Sequence, residues 1–218
     1  MIETILPDCV VAADLFHDPP EATLFPEEER VIEQAVEKRR KEFTTARVCA
    51  RTALGKLGLP PSPVLPGLRG EPQWPSGVVG SITHCAGYRG AVLGESLSVT
   101  TVGIDAEPNE PLANGVLEAV SLPEERADLA LLSARMPQVR WDRMLFSAKE
   151  SVYKAWFPLA KRWLDFEDAV ITFDPGEQTF SARLLVTGPR VGGKRLSVLH
   201  GRWLVSRGLI LTAIVIPT

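Results

Sequence analysis

The chain has 218 residues, 45% of them hydrophobic and 23% charged, enough to bury a core as one domain or as two small halves. With 24 basic residues against 27 acidic the net charge is −3, which argues against a bulk nucleic-acid binder, and no apolar run approaches the ~20 residues of a membrane-spanning helix. Residues 1–7 carry Glu3 where a secretory signal would carry base, and the cysteines, Cys9, Cys49 and Cys85, are odd in number and scattered; a cytoplasmic chain with reduced thiols and no disulfide framework is expected.

Residues 1–26 read as an extended lead-in with turns. Pro26 followed by Glu27, Glu28 and Glu29 starts a helix, since acids complement the positive helix N-terminus. That helix, with a break, runs to about Leu57, where Gly58, Pro60 and Pro61 stop it. Arg40, Arg47 and Arg51 fall on one of its faces, beside an apolar face of Phe43, Ala46, Ala50, Leu54 and Leu57. A row of arginines can grip phosphates bidentately, and it can equally be a solvated basic face. Residues 60–77 form a Pro/Gly-rich loop containing Arg69, Gly70, Glu71 and Pro72. Residues 77–93 read as two short strands around a turn at Ala86-Gly87, with Thr83 and His84 as polar donors near the end of the first. His84 and Cys85 have no second His/Cys pair at ligand spacing, which disfavours zinc. Residues 97–105 alternate and are rich in Val and Thr, as in a strand. Residues 108–137 mix helix and loop, and 141–157 form a strong helix stopped before Pro158. Residues 169–173, 179–186 and 202–216 read as strands of an antiparallel sheet. Helix then strands, twice over, argues an α+β fold of two similar halves, 1–103 and 104–218, joined near residues 94–108.

Two segments carry candidate chemistry. In Val102-Gly103-Ile104-Asp105-Ala106-Glu107, a continuing strand puts Asp105 and Glu107 on one face. A hard cation such as Mg²⁺ relieves the repulsion between two such carboxylates, although Asp-x-Glu at a strand tip also suits a solvated turn. In residues 146–156, Leu145, Ala148, Val152, Ala155 and Trp156 form one apolar stripe and Phe146, Tyr153 and Phe157 another, so the helix is mostly buried. Glu150 and Lys154 stand i, i+4 at its edge. They read either as a surface ion pair worth ~0.3–0.5 kcal/mol or as functional groups, and a helix apolar nearly all round leaves little surface for ornamental charge.

Together and in this order, Arg39-Arg40-Lys41-Glu42-Phe43 with Arg47, Gly70-Glu71-Pro72-Gln73-Trp74-Pro75, Gly80-Ser81-Ile82-Thr83-His84-Cys85, the Asp105/Glu107 segment and residues 146–156 resemble the Sfp-type 4′-phosphopantetheinyl transferases, in the branch similar to enterobactin synthetase component D and the actinobacterial PptT enzymes. The resemblance implies a pseudo-dimeric α+β fold with the active site in the cleft between two similar half-domains. It implies transfer of 4′-phosphopantetheine from coenzyme A to a serine of an apo acyl or peptidyl carrier protein, releasing 3′,5′-ADP. Asp105, Glu107 and Glu150 would hold Mg²⁺, with Mn²⁺ as the alternative. Glu150, directly or through water, would take the serine proton. Lys154 would offset charge on the breaking pyrophosphate and Lys149 would help bind phosphate. Arg47, Arg69 and His84, with Thr83 beside them and Arg40 and Arg51 as further candidates, would hold the 3′-phosphate and adenosine end near Gly70-Glu71-Pro72. Many relatives place lysine where Glu71 stands here. Lys161 and Arg162 are expected to help dock an acidic carrier, and a monomer is expected. No nucleic-acid or membrane partner is implied.

Overall fold

The computed structural model describes all 218 residues. The chain forms two compact units, Met1–Val102 together with Ile216–Thr218, and Gly103–Val215. No helix is long and apolar enough to cross a membrane.

The first unit opens with a 3-10 turn over Ile2–Ile5 and strand β1 (Val10–Leu15). Helix α1 (Pro26–Val31) and helix α2 (Glu37–Lys56) follow. A short pair, β2 (Leu65–Pro66) and β3 (Pro72–Gln73), punctuates the Pro/Gly-rich loop before the hairpin of β4 (Val78–Cys85) and β5 (Tyr88–Glu95). The sheet order is β1-β5-β4, antiparallel throughout. Against the expectation of an extended lead-in, Val10–Leu15 is a full sheet strand, running from the Val10–Gly94 pair to the Leu15–Arg89 pair. Its sequence, Val-Val-Ala-Ala-Asp-Leu, lacks the alternation that marks a half-buried strand, and its partner lies about eighty residues away, so nothing local announces it. Helix α2 lays Ala50, Ala53 and Leu54 against Val78, Ala91 and Leu93.

The second unit takes up strand β6 (Val99–Pro108) at Gly103. Helices α3 (Val116–Val120), α4 (Pro123–Arg135) and α5 (Trp141–Ala160) precede the strands β7 (Ala169–Asp174) and β8 (Thr179–Leu184). A small hairpin of β9 (Arg190–Val191) and β10 (Lys194–Arg195) leads to β11 (Val198–Ser206) and β12 (Leu209–Pro217). The five-stranded order is β6-β12-β11-β8-β7. Between β11 and β12, Arg207 and Gly208 both take positive φ, 51° and 74°, the two-residue turn that suits strand twist. Trp141 meets Phe173 and Trp203 edge-on, each at 5.4 Å between centroids, contacts worth about 0.5–1.5 kcal/mol apiece beyond their buried area. Contrary to expectation α5 runs through Pro158 and ends at Lys161, whose amide bonds Phe157 O at 2.9 Å. A proline so near the C-terminus removes one hydrogen bond, to Lys154 O, while buried Trp156 and Phe157 hold the last turn in place.

The two units are wired alike. In each, the first strand pairs with the last and the last with its predecessor, β1-β5-β4 and β6-β12-β11; the second unit adds β8 and β7 at the far edge. Each begins a helix with proline at its first position and a fully buried glutamate at its third, Pro26 with Glu28 and Pro123 with Glu125. Each glutamate accepts its own cap amide, Phe25 N–H at 3.0 Å and Leu122 N–H at 2.8 Å. Each binds a cation from the long helix, Arg51 at 2.9 Å and Lys149 at 2.7 Å. Each also accepts a later backbone amide, Val64 N–H and Ile171 N–H, both at 2.8 Å.

A buried charge stripped of its partner destabilises strongly. Glu125→Ala should therefore lose about 3–5 kcal/mol in urea unfolding, because Lys149 stays buried without its counter-charge. The double variant Glu125→Leu/Lys149→Met should recover only the part due to the stranded Lys149 charge, since the Leu122 and Ile171 amides still lack their acceptor.

Candidate functional site

Strand β6 lies along helix α5, and Gly103 sets their distance. A Cβ on Gly103 would collide with Ser151 O and stand 2.6 Å from Ala155 N. The helix meets the sheet with small residues, Ser147, Ala148, Ser151 and Ala155, all buried. Ser147 and Ser151 hydroxyls bond the Thr212 hydroxyl on β12 at 3.0 and 2.5 Å. Residues 103, 105 and 107 share a strand face, so the face that touches α5 at Gly103 also turns Asp105 and Glu107 towards it. The strand runs against the helix: Gly103 lies by Ser151 and Ala155, Asp105 bonds Lys154, and Glu107 bonds Arg143. At about 3.3 Å per strand residue and 1.5 Å per helix residue, four strand residues keep rough pace with three helical turns.

Of the two readings of Glu150 and Lys154, the surface ion pair is absent from the structure. Lys154 Nζ donates to Asp105 Oδ1 at 2.7 Å. Asp105 is 4% exposed. Glu107 Oε2 accepts from Arg143 Nη1 at 2.9 Å. Burial first, then the charge of Asp105, pushes Glu107 up to about 7, against the opposing pull of Arg143 and Lys154. Burial likewise raises Glu150, with Lys154 opposing and Asp105 adding to the rise. Asp105 and Lys154 thus lie within electrostatic reach of both Glu107 and Glu150. No three His, Cys, Asp or Glu side chains converge closely enough to hold a metal in this arrangement, in which protein cations engage two of the carboxylates.

In the first unit the arginines divide. Arg40 Nη1 donates to Ile32 O at 2.7 Å, closing the end of α1. Arg51 binds Glu28 and donates to Thr23 O. Both guanidinium groups have partners within the fold, although Arg40 itself is exposed. Arg47 is buried, its guanidinium 3.7 Å from the centre of the Phe43 ring, and burial lowers it to about 10. Its Nε donates to Val64 O at 3.0 Å, which leaves both Nη groups outside that bond. His84 stands between Arg39, 2.8 Å from Nε2, and Glu42, 3.7 Å from Nδ1. Thr83 is buried one residue before it. Arg69 is exposed in a loop closed by Gly67 N–H to Glu71 O at 2.7 Å, with Gly70 at φ 84°. Glu71 Oε2 accepts the Arg69 amide at 2.9 Å, so the residue standing in place of lysine before Pro72 has a local role in folding the loop.

Lys149 is held by Glu125 and by Phe166 O at 2.6 Å; burial lowers its pKa despite Glu125. Its ammonium is bound within the unit, where the sequence suggested a phosphate contact. Lys161 and Arg162 are both exposed; Lys161 Nζ lies 5.7 Å from the centre of the Phe157 ring, and Arg162 stacks on Trp156 and donates to Thr187 O. Sequence reasoning missed Arg39 as the neighbour of His84, and it missed Arg143 altogether. Position 39 was readable as part of a basic run, but helical spacing could not say which arginine meets a histidine 45 residues on.

The profile of the 4′-phosphopantetheinyl transferase N-terminal domain matches residues 27–94, and that of the 4′-phosphopantetheinyl transferase superfamily matches 101–201. The chain is 56% identical to 4′-phosphopantetheinyl transferase Svp of Streptomyces mobaraensis over 99% of this chain and 89% of that one. It is 54% identical to 4′-phosphopantetheinyl transferase PptT of Mycobacterium tuberculosis, over 99% of this chain and 98% of that one. Enterobactin synthase component D of Salmonella typhi matches at 35% over 126 residues, 57% of this chain and 51% of that one.

Gly103→Ala should force β6 off α5, with an overpacking loss of about 1–3 kcal/mol. Thermal unfolding should show a lower Tm, together with weakened reach of Lys154 to Asp105. An unchanged Tm would contradict the close contact.

Proposed function

The chain belongs to the 4′-phosphopantetheinyl transferase superfamily and is an enzyme of that kind, and from that premise we propose that it moves 4′-phosphopantetheine from coenzyme A to a serine hydroxyl of an apo carrier protein, with a divalent cation held by Asp105, Glu107 and Glu150. The observation that supports this most is the gathering of three carboxylates, two of them with raised pKa, around the ammonium of Lys154. Burial raises both, with the charge of Asp105 adding to it; a cation would stabilise the ionised carboxylates against both effects, and an all-oxygen set suits hard Mg²⁺, with Mn²⁺ as the alternative. When bound, the cation neutralises charge on the pyrophosphate oxygens of coenzyme A.

The protein's own groups would do the rest by position and charge. Lys154, held at Asp105, would turn to the phosphoryl oxygens as 3′,5′-ADP leaves. Glu150, made more basic by burial, would accept the serine proton directly or through water, a contribution of ~10²–10⁴-fold. In this reading the first unit takes the 3′-phosphate and adenosine end: Arg39 and His84, the Nη groups of Arg47, and Arg69 in its loop. The pseudo-dimeric arrangement, with coenzyme A shared by both halves, is part of the proposal. So are carriers of polyketide, nonribosomal-peptide or fatty-acid synthases as substrates. Lys161, exposed at the end of α5, is a better candidate for an acidic carrier's contact than Arg162, which is tied to Thr187.

The test is labelling of an apo carrier protein by a fluorescent coenzyme A. Wild type should label only with Mg²⁺ or Mn²⁺, and Asp105→Ala should abolish it. Metal-independent labelling by Asp105→Ala would remove the metal assignment, and release of 3′,5′-ADP at full speed without carrier would indicate a hydrolase. Below about 7 the Glu107 carboxyl holds its proton. Calorimetric affinity for the cation should therefore rise as pH climbs through that value and level off above it. Glu107→Gln should flatten that rise.

A further inference from the structure

We propose that Arg143 is the positioning residue of the Glu107 carboxylate, holding one oxygen so that the other is presented to a divalent cation; this rests on the metal reading above. The stretch after β6 is strapped to the start of α5. Asn109 Nδ2 donates to Gln138 O at 2.8 Å, and Asn109 Oδ1 accepts Arg140 N–H at 2.9 Å. Asp142 Oδ2 accepts Leu112 N–H at 2.7 Å. Within this strap Arg143 spends all three guanidinium nitrogens: Nε on Glu110 O at 3.2 Å, Nη2 on Pro111 O at 2.9 Å, and Nη1 on Glu107 Oε2 at 2.9 Å.

The two carbonyl bonds hold the guanidinium plane independently of Glu107. Arg143 therefore stays where it is when Glu107 gains another partner. Its single bond to Glu107 takes Oε2 and leaves Oε1 outside that contact. The side chains are largely shielded, 21% exposed for Arg143 and 18% for Glu107, so water competes little for the pair. A carboxylate at a strand tip otherwise swings on three rotatable bonds. Held at one oxygen, it loses that freedom before any ligand arrives. Outer contacts of this kind to ligating groups typically set metal affinity by about 10–100-fold. A lysine here would keep the charge but could not serve two carbonyls and a carboxylate from one rigid plane.

The test compares the purified full chain with Arg143→Met, Arg143→Lys and Asp142→Ala, titrating Mn²⁺ by electron paramagnetic resonance with coenzyme A absent and then present. Arg143→Met should weaken Mn²⁺ binding about 10–100-fold, and Arg143→Lys should fall between it and wild type. Asp142→Ala loosens the same strap one residue beyond the two carbonyls and keeps the Arg143–Glu107 bond; it should lower Tm and weaken Mn²⁺ binding less than Arg143→Met does. With carrier present, Arg143→Met should raise the Mg²⁺ concentration for half-maximal labelling more than it lowers kcat at saturating Mg²⁺. Equal affinity in Arg143→Met and wild type, tighter binding in Arg143→Met, or equal losses in Arg143→Met and Asp142→Ala would each overturn the proposal. Should wild type bind no Mn²⁺ under either condition, the metal reading itself fails, an outcome distinct from those three.

Discussion

The second unit depends on one close approach, β6 lying on α5 at a point where any side chain larger than hydrogen would strike the helix backbone. Gly103 makes room on the strand, and Ser147, Ala148, Ser151 and Ala155 make room on the helix. The serines satisfy their hydroxyls through Thr212, so the flat contact buries no unpaired polar group there. At this short distance, residues two and four beyond Gly103 reach the helix with ordinary carboxylate side chains. Asp105 and Glu107 then find Lys154 and Arg143. A thicker interface of leucines would hold the strand several ångströms farther out and leave the four charges apart.

Charge buried for architecture and charge kept for chemistry are distinguishable here. Glu28 and Glu125 are each fully buried and bound to three partners: one cap amide, one remote amide and one cation. Such glutamates act as bolts between a helix start, the long helix and a later segment. The cations they hold, Arg51 and Lys149, are spent with them. Asp105, Glu107 and Glu150 differ. Burial, with the charge of Asp105 adding to it, raises the proton affinity of Glu107 and Glu150, and Glu150 forms no ion pair within salt-bridge distance although Lys154 follows it by one turn. The protein has placed more negative charge in a half-buried space than its own cations neutralise by contact. That excess is what makes the region suited to a ligand carrying positive charge.

The first unit applies the same distinction to its arginines. Arg40 and Arg51 complete backbone and carboxylate needs of α1. Arg39, exposed at the start of α2, meets His84 from β4, while Arg47 stacks on Phe43 and retains donors beyond its single backbone bond. On a helical wheel Arg40, Arg47 and Arg51 are equivalent. Their neighbours in space are not, because α1 takes Arg40 and Arg51 at the two ends of the row while Arg47 between them meets Val64 O and the Phe43 ring.

The amino-acid sequence by itself determined most elements, the α+β class and the doubled order of helices and strands, since these follow from periodicity, proline and glycine placement, and the alternation of β6. On spacing alone it left Asp105 and Glu107 open between a cation site and a solvated turn, and Glu150 with Lys154 open between functional groups and a surface ion pair; the resemblance carried by several motifs in order is what selected them. Strand β1 escaped it, for its pattern is weak and its partner distant. Only the tertiary structure decided who meets whom: Lys154 with Asp105 instead of Glu150, Lys149 with Glu125, Arg39 with His84, Arg143 with Glu107. Spacing along one element fixes which side chains share a face. Contacts between elements depend on how near the backbones pack, and here that distance rests on a glycine and four small residues whose effect appears only when strand and helix are brought together.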